Sequence, residues 1–321
     1  MSNETLPLLM LAGSDRRPGA LPAEARGMHS IVAYKAAELH ARGRALIEWV
    51  LDRYEASGRF GPIWIAGPRS AYGSLDPRAR IVDTDADVAT NLERGLAAIA
   101  REHEGPVALS ASDILPDPDE LRALVLDWES APSALWFPMI RAPQRREDLE
   151  AFAWKPEYAI HPEPDLPAVN VLPSHLGIFD PRALRLAFLF ELLRLGYRTR
   201  NRSVATRRRV ILGRTLWALL REDVRHVLGL RLPTLTFSVV ASGLTVARGL
   251  IRKTIDRGTL ERAVARVILT SRHKKRSPDR RVRLPILDAM SLARDFDTEE
   301  EWRQVVGDGP DGGAAPPEGA P

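Results

Sequence analysis

Two residues in the N-terminal half of the chain combine reactive types with suggestive settings: Lys35 and Asp113. Asp113 directly follows the apolar run PVALSAS (106–112), so a carboxylate is predicted at the carboxyl end of a buried strand, where open α/β sheets bind ligands. A carboxylate held there suits Mg²⁺, a hard cation that takes oxygen ligands and keeps waters for a phosphate partner. The competing reading has Asp113 capping a turn before Pro116. Lys35 stands at the far end of a long polar stretch that begins where the first apolar run, LPLLMLAG (6–13), stops at Ala12-Gly13. The question is what ligand a polar loop ending in an ammonium would hold.

The elements around these residues set the frame. LPLLMLAG (6–13), PIWIAG (62–67), ARIVDT (79–84), PVALSAS (106–112) and SALWFPMI (133–140) read as strands. Between them Leu46, Ile47, Val50, Leu51 and Tyr54 share one face of a helix closed by Gly58, and Val88, Leu92, Leu96 and Ile99 share a face of the next. A third helix opens with Asp117 as N-cap, Pro118 at its first position and Glu120 completing a capping box. Strands alternating with helices predict an α/β fold, a sheet layered with crossover helices. Further on, VNVLPSHLGIFDPRAL (169–184) reads as a strand followed by a helix that starts at Asp180-Pro181 and ends at Gly196.

The strand order, the AG-loop, Lys35 and Asp113 together resemble the MobA-like nucleotidyltransferases of the GT-A type. The matching text is LAGS (11–14), YKAAELHARGRALIEWVLDRY (34–54) and VALSASDILPDPDEL (107–121), with a return at ARDFDTEEEW (293–302). The resemblance implies a GT-A/Rossmann-like mixed sheet and an Mg²⁺-dependent transfer of a nucleotidyl group from an NTP to a small acceptor, with pyrophosphate leaving. It implies that the loop from Leu11, Ala12, Gly13 and Ser14 wraps the triphosphate through backbone N–H groups, aided by Arg16 and Arg17, and that Lys35 reaches the phosphates as a point charge. Asn91 would read a base edge, Asp113 would hold Mg²⁺, and Asp295 or Asp297 would supply a second carboxylate. Lys155, Asn170 and His175 would meet the acceptor, and CTP is expected ahead of GTP.

This chain departs from the family pattern at Ser14, where a second glycine is usual, and at Asp15, a negative charge beside the expected triphosphate. Arg16, Arg17 and Arg26 would offset it. Asp297 also fits the capping box of a final helix, since Asp297-x-x-Glu300 and Thr298-x-x-Glu301 both have that form. These departures keep a second function class open, a non-catalytic nucleotide-binding or scaffold descendant of the same fold.

Composition bounds the setting. The chain has 321 residues, 45% of them hydrophobic and 27% charged, enough for a sizeable core. It has no cysteine, so thiolate and disulfide chemistry are excluded and a reducing cytoplasm fits. The apolar run near the N-terminus lacks a basic flank and reads as a core strand. No stretch matches a membrane span of about 18 apolar residues; the longest uncharged segment, Leu232 to Ala247, is too short.

The net charge of +4 conceals a division, because residues 194–283 hold 24 Lys+Arg against 5 Asp+Glu. The expected organisation is therefore a nucleotidyltransferase-like core (1–193), a basic helical insertion (194–283), a closing strand and helix (284–306) and a disordered tail (307–321). Three readings of the basic region are open: a peripheral surface for anionic membrane lipid, a nucleic-acid patch, or a solvated face. Few aromatics are interleaved, only Tyr197, Trp217 and Phe237, which argues against nucleic acid.

Overall fold

Leu8, Leu9 and Met10 are all fully buried, so the first strand must be covered on both faces. The computed structural model, which describes residues 5–13, 34–144, 157–199, 223–224, 235–296 and 298–307, shows how. In chain order the strands are β1 (Leu6–Leu11), β2 (His40–Ala41), β3 (Arg44–Ala45), β4 (Phe60–Gly67), β5 (Ala79–Asp83), β6 (Val107–Ala111) and β7 (Leu135–Trp136). Then come β8 (Met139–Arg141), β9 (Tyr158–Ile160), β10 (Val169–Pro173), β11 (Leu176–Phe179), β12 (Val282–Arg283) and β13 (Ile286–Leu287). The described helices are α1 (Lys35–Glu38), α2 (Leu46–Ser57), α3 (Arg69–Tyr72), α4 (Val88–Ile99), α5 (Pro118–Ser130), α6 (Leu186–Thr199), α7 (Leu235–Arg252), α8 (Arg257–Ile268), α9 (Ser271–Arg276) and α10 (Glu299–Val306).

The large sheet has the order β12-β7-β11-β6-β1-β4-β5. β6, β1, β4 and β5 run parallel, while β11 is antiparallel to both β6 and β7. On one face Leu8 and Met10 pack in a cluster with Leu46, Val50, Tyr54, Leu121 and Trp302; on the other, Leu9 and Trp64 join Leu92, Leu96, Ile99, Phe190 and Leu269. The expected mixed α/β sheet layered with helices is what forms. A second sheet, β13-β8-β10-β9, stands beside it.

Local chemistry explains several joints. Gly58 ends α2 in the left-handed region at φ 65°, as its position predicts. Arg42 and Gly43, with φ 52° and 73°, make the two-residue turn between β2 and β3. The box expected at Asp117 and Glu120 is relayed: Asp117 accepts from the N–H groups of Asp119 and Glu120, its own N–H donates to Ser291 Oγ at 2.8 Å, and Ser291 donates to Glu120. The cap thus straps a distant C-terminal segment to α5.

Three expectations need correction. SALWFPMI is two strands: Leu135–Trp136 lies in the large sheet and Met139–Arg141 in the small one, with Pro138, which lacks a ladder donor, at the break. VNVLPSHLGIF divides likewise at Ser174-His175, where Ser174 Oγ accepts from Leu176 N at 3.0 Å. The helix drawn from Asp180-Pro181 starts at Leu186 instead. Asp180 caps a turn by accepting from Arg182 N at 2.9 Å, and Leu184 bridges to Leu269, which holds the chain extended. Gly196 lies inside that helix.

Helix α6 runs across residue 194, and Val282–Arg283 is an edge strand of the large sheet. Ile255, Ile268 and Leu269 join the second core cluster, so the described basic region from 255 onward is built into the fold. The triplet Arg207-Arg208-Arg209 and the tail beyond Gly307 lie outside the described residues. Among the described residues no helix is long and apolar enough to cross a membrane.

Candidate active site at the carboxyl edge of the sheet

The carboxyl ends of β1, β4, β5 and β6 define one edge of the parallel layer, and the candidate residues collect there. Ala12 continues β1, its N–H donating to Ala66 O at 3.0 Å. Gly67 ends β4 beside it; a Cβ at Gly67 would lie 2.8 Å from Ala12 O and 2.9 Å from the Tyr72 ring. Only a bare backbone permits that approach. Gly13 is a second such point, because a Cβ there would sit 2.4 Å from Asn91 Nδ2.

Lys35 opens α1, which Ala36 and Ala37 and the following Leu39 pin to the core by their burial. From that anchor Lys35 Nζ reaches Asp113 Oδ2 at 3.3 Å, with the two side chains 32% and 22% exposed. A partly open pair of this kind contributes little to stability. Its geometry is that of a cation and a carboxylate presented together at the mouth of the sheet.

Asp113 is held from behind by the returning C-terminal segment. Phe296 N donates to Asp113 O at 2.8 Å, and Asp295 pairs with Ile114 in an antiparallel bridge. The buried Trp302 of α10 stacks edge-on against Trp49 of α2 and against Phe296, at 6.1 and 5.1 Å. Thr298 caps α10 by accepting from Glu301 N at 3.2 Å, one of the two capping patterns read from the sequence.

His175 joins the same group. Its carbonyl accepts from Ala111 N at 3.0 Å, its N–H donates to Leu292 O at 2.8 Å, and its Nε2 lies 3.9 Å from Asp295 Oδ1. Lys35, Asp113, His175 and Asp295 are therefore brought to one place from four separate segments. Asn170 is not: it is exposed on β10 in the small sheet, paired with Ala159. Ser14, Arg16, Arg17, Lys155 and Asp297 lie outside the described residues.

Asn91, expected from the resemblance to read a base edge, lies in α4 behind Gly13. The side chain is 2% exposed, and its Oδ1 accepts from Thr84 Oγ1 at 2.9 Å and from Ala86 N at 3.1 Å, while its Nδ2 donates to Ala86 O at 3.2 Å. The amide braces the loop after β5 and packs on Gly13.

Sequence reading missed the tyrosines. Tyr72, 2% exposed, shares a hydrogen bond with the Ser112 side chain, and its phenol is pushed up from its ordinary range first by burial and then by the charges of Asp113 and Glu38. Tyr34 meets Tyr72 edge to face at 6.4 Å and donates to Asp85 Oδ2 at 3.0 Å. The only sequence signal for Tyr72 was the glycine that ends β4, since a ring needs that space.

Whether the residues fit Mg²⁺ turns on the donor set. Among the described residues no group of three or more His, Asp or Glu is placed to hold a metal ion. Mg²⁺ does not need such a cage, since it is usually bound by one or two carboxylates with waters and phosphate oxygens completing the shell. Asp113, with Asp295 on the adjoining segment, matches that pattern.

Comparison with solved structures finds this fold in a hypothetical transferase from Thermus thermophilus, 20% identical, with a TM-score of 0.52 over 92% of this chain and 99% of that one. A CMP:2-keto-3-deoxy-manno-octonic acid synthetase complexed with CTP aligns at 11% identity and a TM-score of 0.42, over 94% and 96% of the two chains. A 2-C-methyl-D-erythritol 4-phosphate cytidylyltransferase, also from Thermus thermophilus, aligns at 17% identity and 0.34, over 65% and 84%. No family model matches the chain, and no curated protein does. The first of these likenesses establishes the fold.

Proposed function

We propose that the chain is a nucleotidyltransferase that moves a nucleotidyl group from an NTP to a phosphorylated or hydroxylated small acceptor. The observation that carries this reading is the Lys35–Asp113 pair, 3.3 Å apart at the carboxyl edge of a parallel sheet, where such folds bind nucleotides. An acceptor oxygen would attack the α-phosphorus in line; the new P–O bond forms as the bond to the β-phosphate oxygen breaks, and pyrophosphate leaves. A hydroxyl acceptor would also lose its proton, whereas a phosphate oxygen has none to lose.

Such chemistry asks a protein for positioning and charge neutralisation more than for a covalent nucleophile. Lys35 would hold a phosphate oxygen, and the backbone at Ala12-Gly13 would lie along the triphosphate. Mg²⁺, held by Asp113 with Asp295, would neutralise phosphate charge. His175, fixed beside Asp295, is suited to meet the acceptor. CTP as the preferred nucleotide rests on the sequence resemblance alone.

The test is pyrophosphate release, measured across the four NTPs with Mg²⁺ and a set of phosphorylated acceptors. Release by the wild type that Asp113→Asn removes supports the proposal; release equal in both overturns it.

Membrane-surface association belongs to the same proposal, as a peripheral placement. It is supported by α7, which turns Phe237, Val240, Leu244 and Ile251 to solvent, with Phe237 and Ile251 each 79% exposed. These positions fall on one helical face, in a region of strongly positive charge.

A further inference from the structure

A basic concavity lies away from the Lys35–Asp113 edge. It has a volume of about 330 Å³ and is walled by α8, α9 and the start of β12. Arg262, Arg266, Lys274 and Arg281 line it, together with the apolar Ala265, Leu269 and Val282. Strand register fixes its distance from the candidate active site. Val282 is level with Leu135, Phe179 and Val107, the amino end of β6, whereas Asp113 lies beyond its carboxyl end. Six residues of strand at about 3.3 Å each, and three strand spacings of about 4.8 Å, separate the two by roughly 25 Å.

The charge in this cavity is not balanced from within. Glu261 is the one acid in the lining, and it is occupied elsewhere: it accepts from Leu284 N at 2.8 Å and pairs with Arg257 at 3.9 Å. Among the described residues no carboxylate forms an ion pair with Arg262, Arg266, Lys274 or Arg281. Asp256, outside the lining, acts on Arg262 by charge without a direct ion pair, and the hydrogen bonds the four cations make go to neutral groups. Lys274 Nζ donates to Arg266 O at 3.1 Å, Arg262 Nη2 donates to Thr259 Oγ1 at 2.7 Å, and Arg281 Nε donates to Pro278 O at 2.7 Å. The environment registers as a cost to Lys274, whose ammonium is held down to about 8, first by burial and then by the like charges of Arg185, Arg266 and Arg281.

A fold gains nothing by gathering uncompensated cations around a half-buried lysine unless something anionic completes the arrangement. Arginine forks and a lysine point charge converging on one cavity match the oxygens of a phosphate. The volume sits at the lower end of the range for small-molecule pockets, about 300–1,000 Å³, which leaves room for more than the bare ion. We infer that the cavity between α8, α9 and β12 is a binding site for a phosphate group carried by a small molecule or by a lipid headgroup. It is a different site from the one that would hold the NTP, and it stands or falls independently of the transferase reading.

The experiment titrates the full chain, without Mg²⁺ and at low salt, with inorganic phosphate and with pyrophosphate, and pellets it with phosphatidylcholine vesicles with and without phosphatidic acid. The variants are Lys274→Gln with Arg266→Gln, and separately the exposed Arg281→Gln, each checked to unfold cooperatively and to melt no lower than wild type. Lys35→Ala serves as the control that removes the other phosphate candidate.

Loss of a charged hydrogen-bonding partner should weaken soluble phosphate binding at least about tenfold in the cavity variants and leave it intact in Lys35→Ala. That pattern identifies a soluble phosphate ligand. Pelleting that depends on phosphatidic acid and is lost in the same variants identifies a lipid phosphate. If phosphate, pyrophosphate and the acidic vesicles bind wild type and cavity variants alike, or bind neither, the inference is overturned.

Discussion

Lys35 Nζ and Asp113 Oδ2, 78 positions apart in sequence, meet at 3.3 Å across the carboxyl ends of the sheet. The pair is part-exposed and the backbone beneath Asp113 is held independently by Phe296 N. Removing its charge should therefore disturb chemistry far more than folding. Asp113→Asn is expected to unfold within about 1 kcal/mol of wild type in urea and to cut pyrophosphate release by about 10²-fold or more. Asp295→Asn is expected to lower release as well. A large loss of stability with activity retained would mean that the pair is structural.

Gly13 tests the brace at the end of β1. An alanine Cβ would meet Asn91 Nδ2 at 2.4 Å, and Asn91 is buried with three hydrogen bonds to Thr84 and Ala86. Gly13→Ala should cost about 1–3 kcal/mol through overpacking, and Asn91→Ala about the same through buried groups left without partners. Urea unfolding reads both; a neutral Gly13→Ala would show that the loop yields freely there.

How much of this was legible beforehand depended on the range of the forces involved. The run LPLLML announced a core strand, and Gly58 and Asp117 announced helix ends, because those signals are local. The same logic failed at Asp180-Pro181, where a long-range bridge from Leu184 to Leu269 overrides a local helix start. Asp113 was readable as a strand-end carboxylate, and Lys35 through the text around it. The pairing of His175 with Asp295 was not readable, since it exists only because the C-terminal segment returns across β6. Nothing in TNLERG shows that the Asn91 amide turns toward the backbone of Ala86.

Lys274 gives a pH dependence with a definite sign. Its folded value is depressed to about 8 from 10.5, so between those values the unfolded chain binds more protons than the folded one, and unfolding free energy rises with pH. The contribution is fully present above about 10.5 and is lost as pH falls through about 8. Lys274→Met should therefore melt higher than wild type at pH 7, with the difference shrinking as pH climbs toward 10.5. A difference that stays constant with pH would show that Lys274 titrates normally.

The exposed stripe on α7 predicts behaviour at lipid surfaces. Wild type should pellet at low salt with vesicles containing phosphatidylglycerol, and salt should release it because surface charges are screened within a Debye length. Phe237→Ser with Ile251→Ser should reduce pelleting while leaving the melting transition in place, since both side chains are 79% exposed. Pelleting unaffected by the two substitutions would remove the stripe from the account.

The most direct test of the transferase reading is nucleotide binding, measured as the melting temperature with each of ATP, GTP, CTP and UTP at millimolar concentration with Mg²⁺. A ligand that binds only the folded state raises the transition; at about 100 times its Kd the gain is about 2.7 kcal/mol. The account predicts that at least one NTP, CTP foremost, raises the melting temperature of the wild type. Lys35→Ala should lose most of that rise without melting lower on its own. No shift with any NTP, or an undiminished shift in Lys35→Ala, would contradict it.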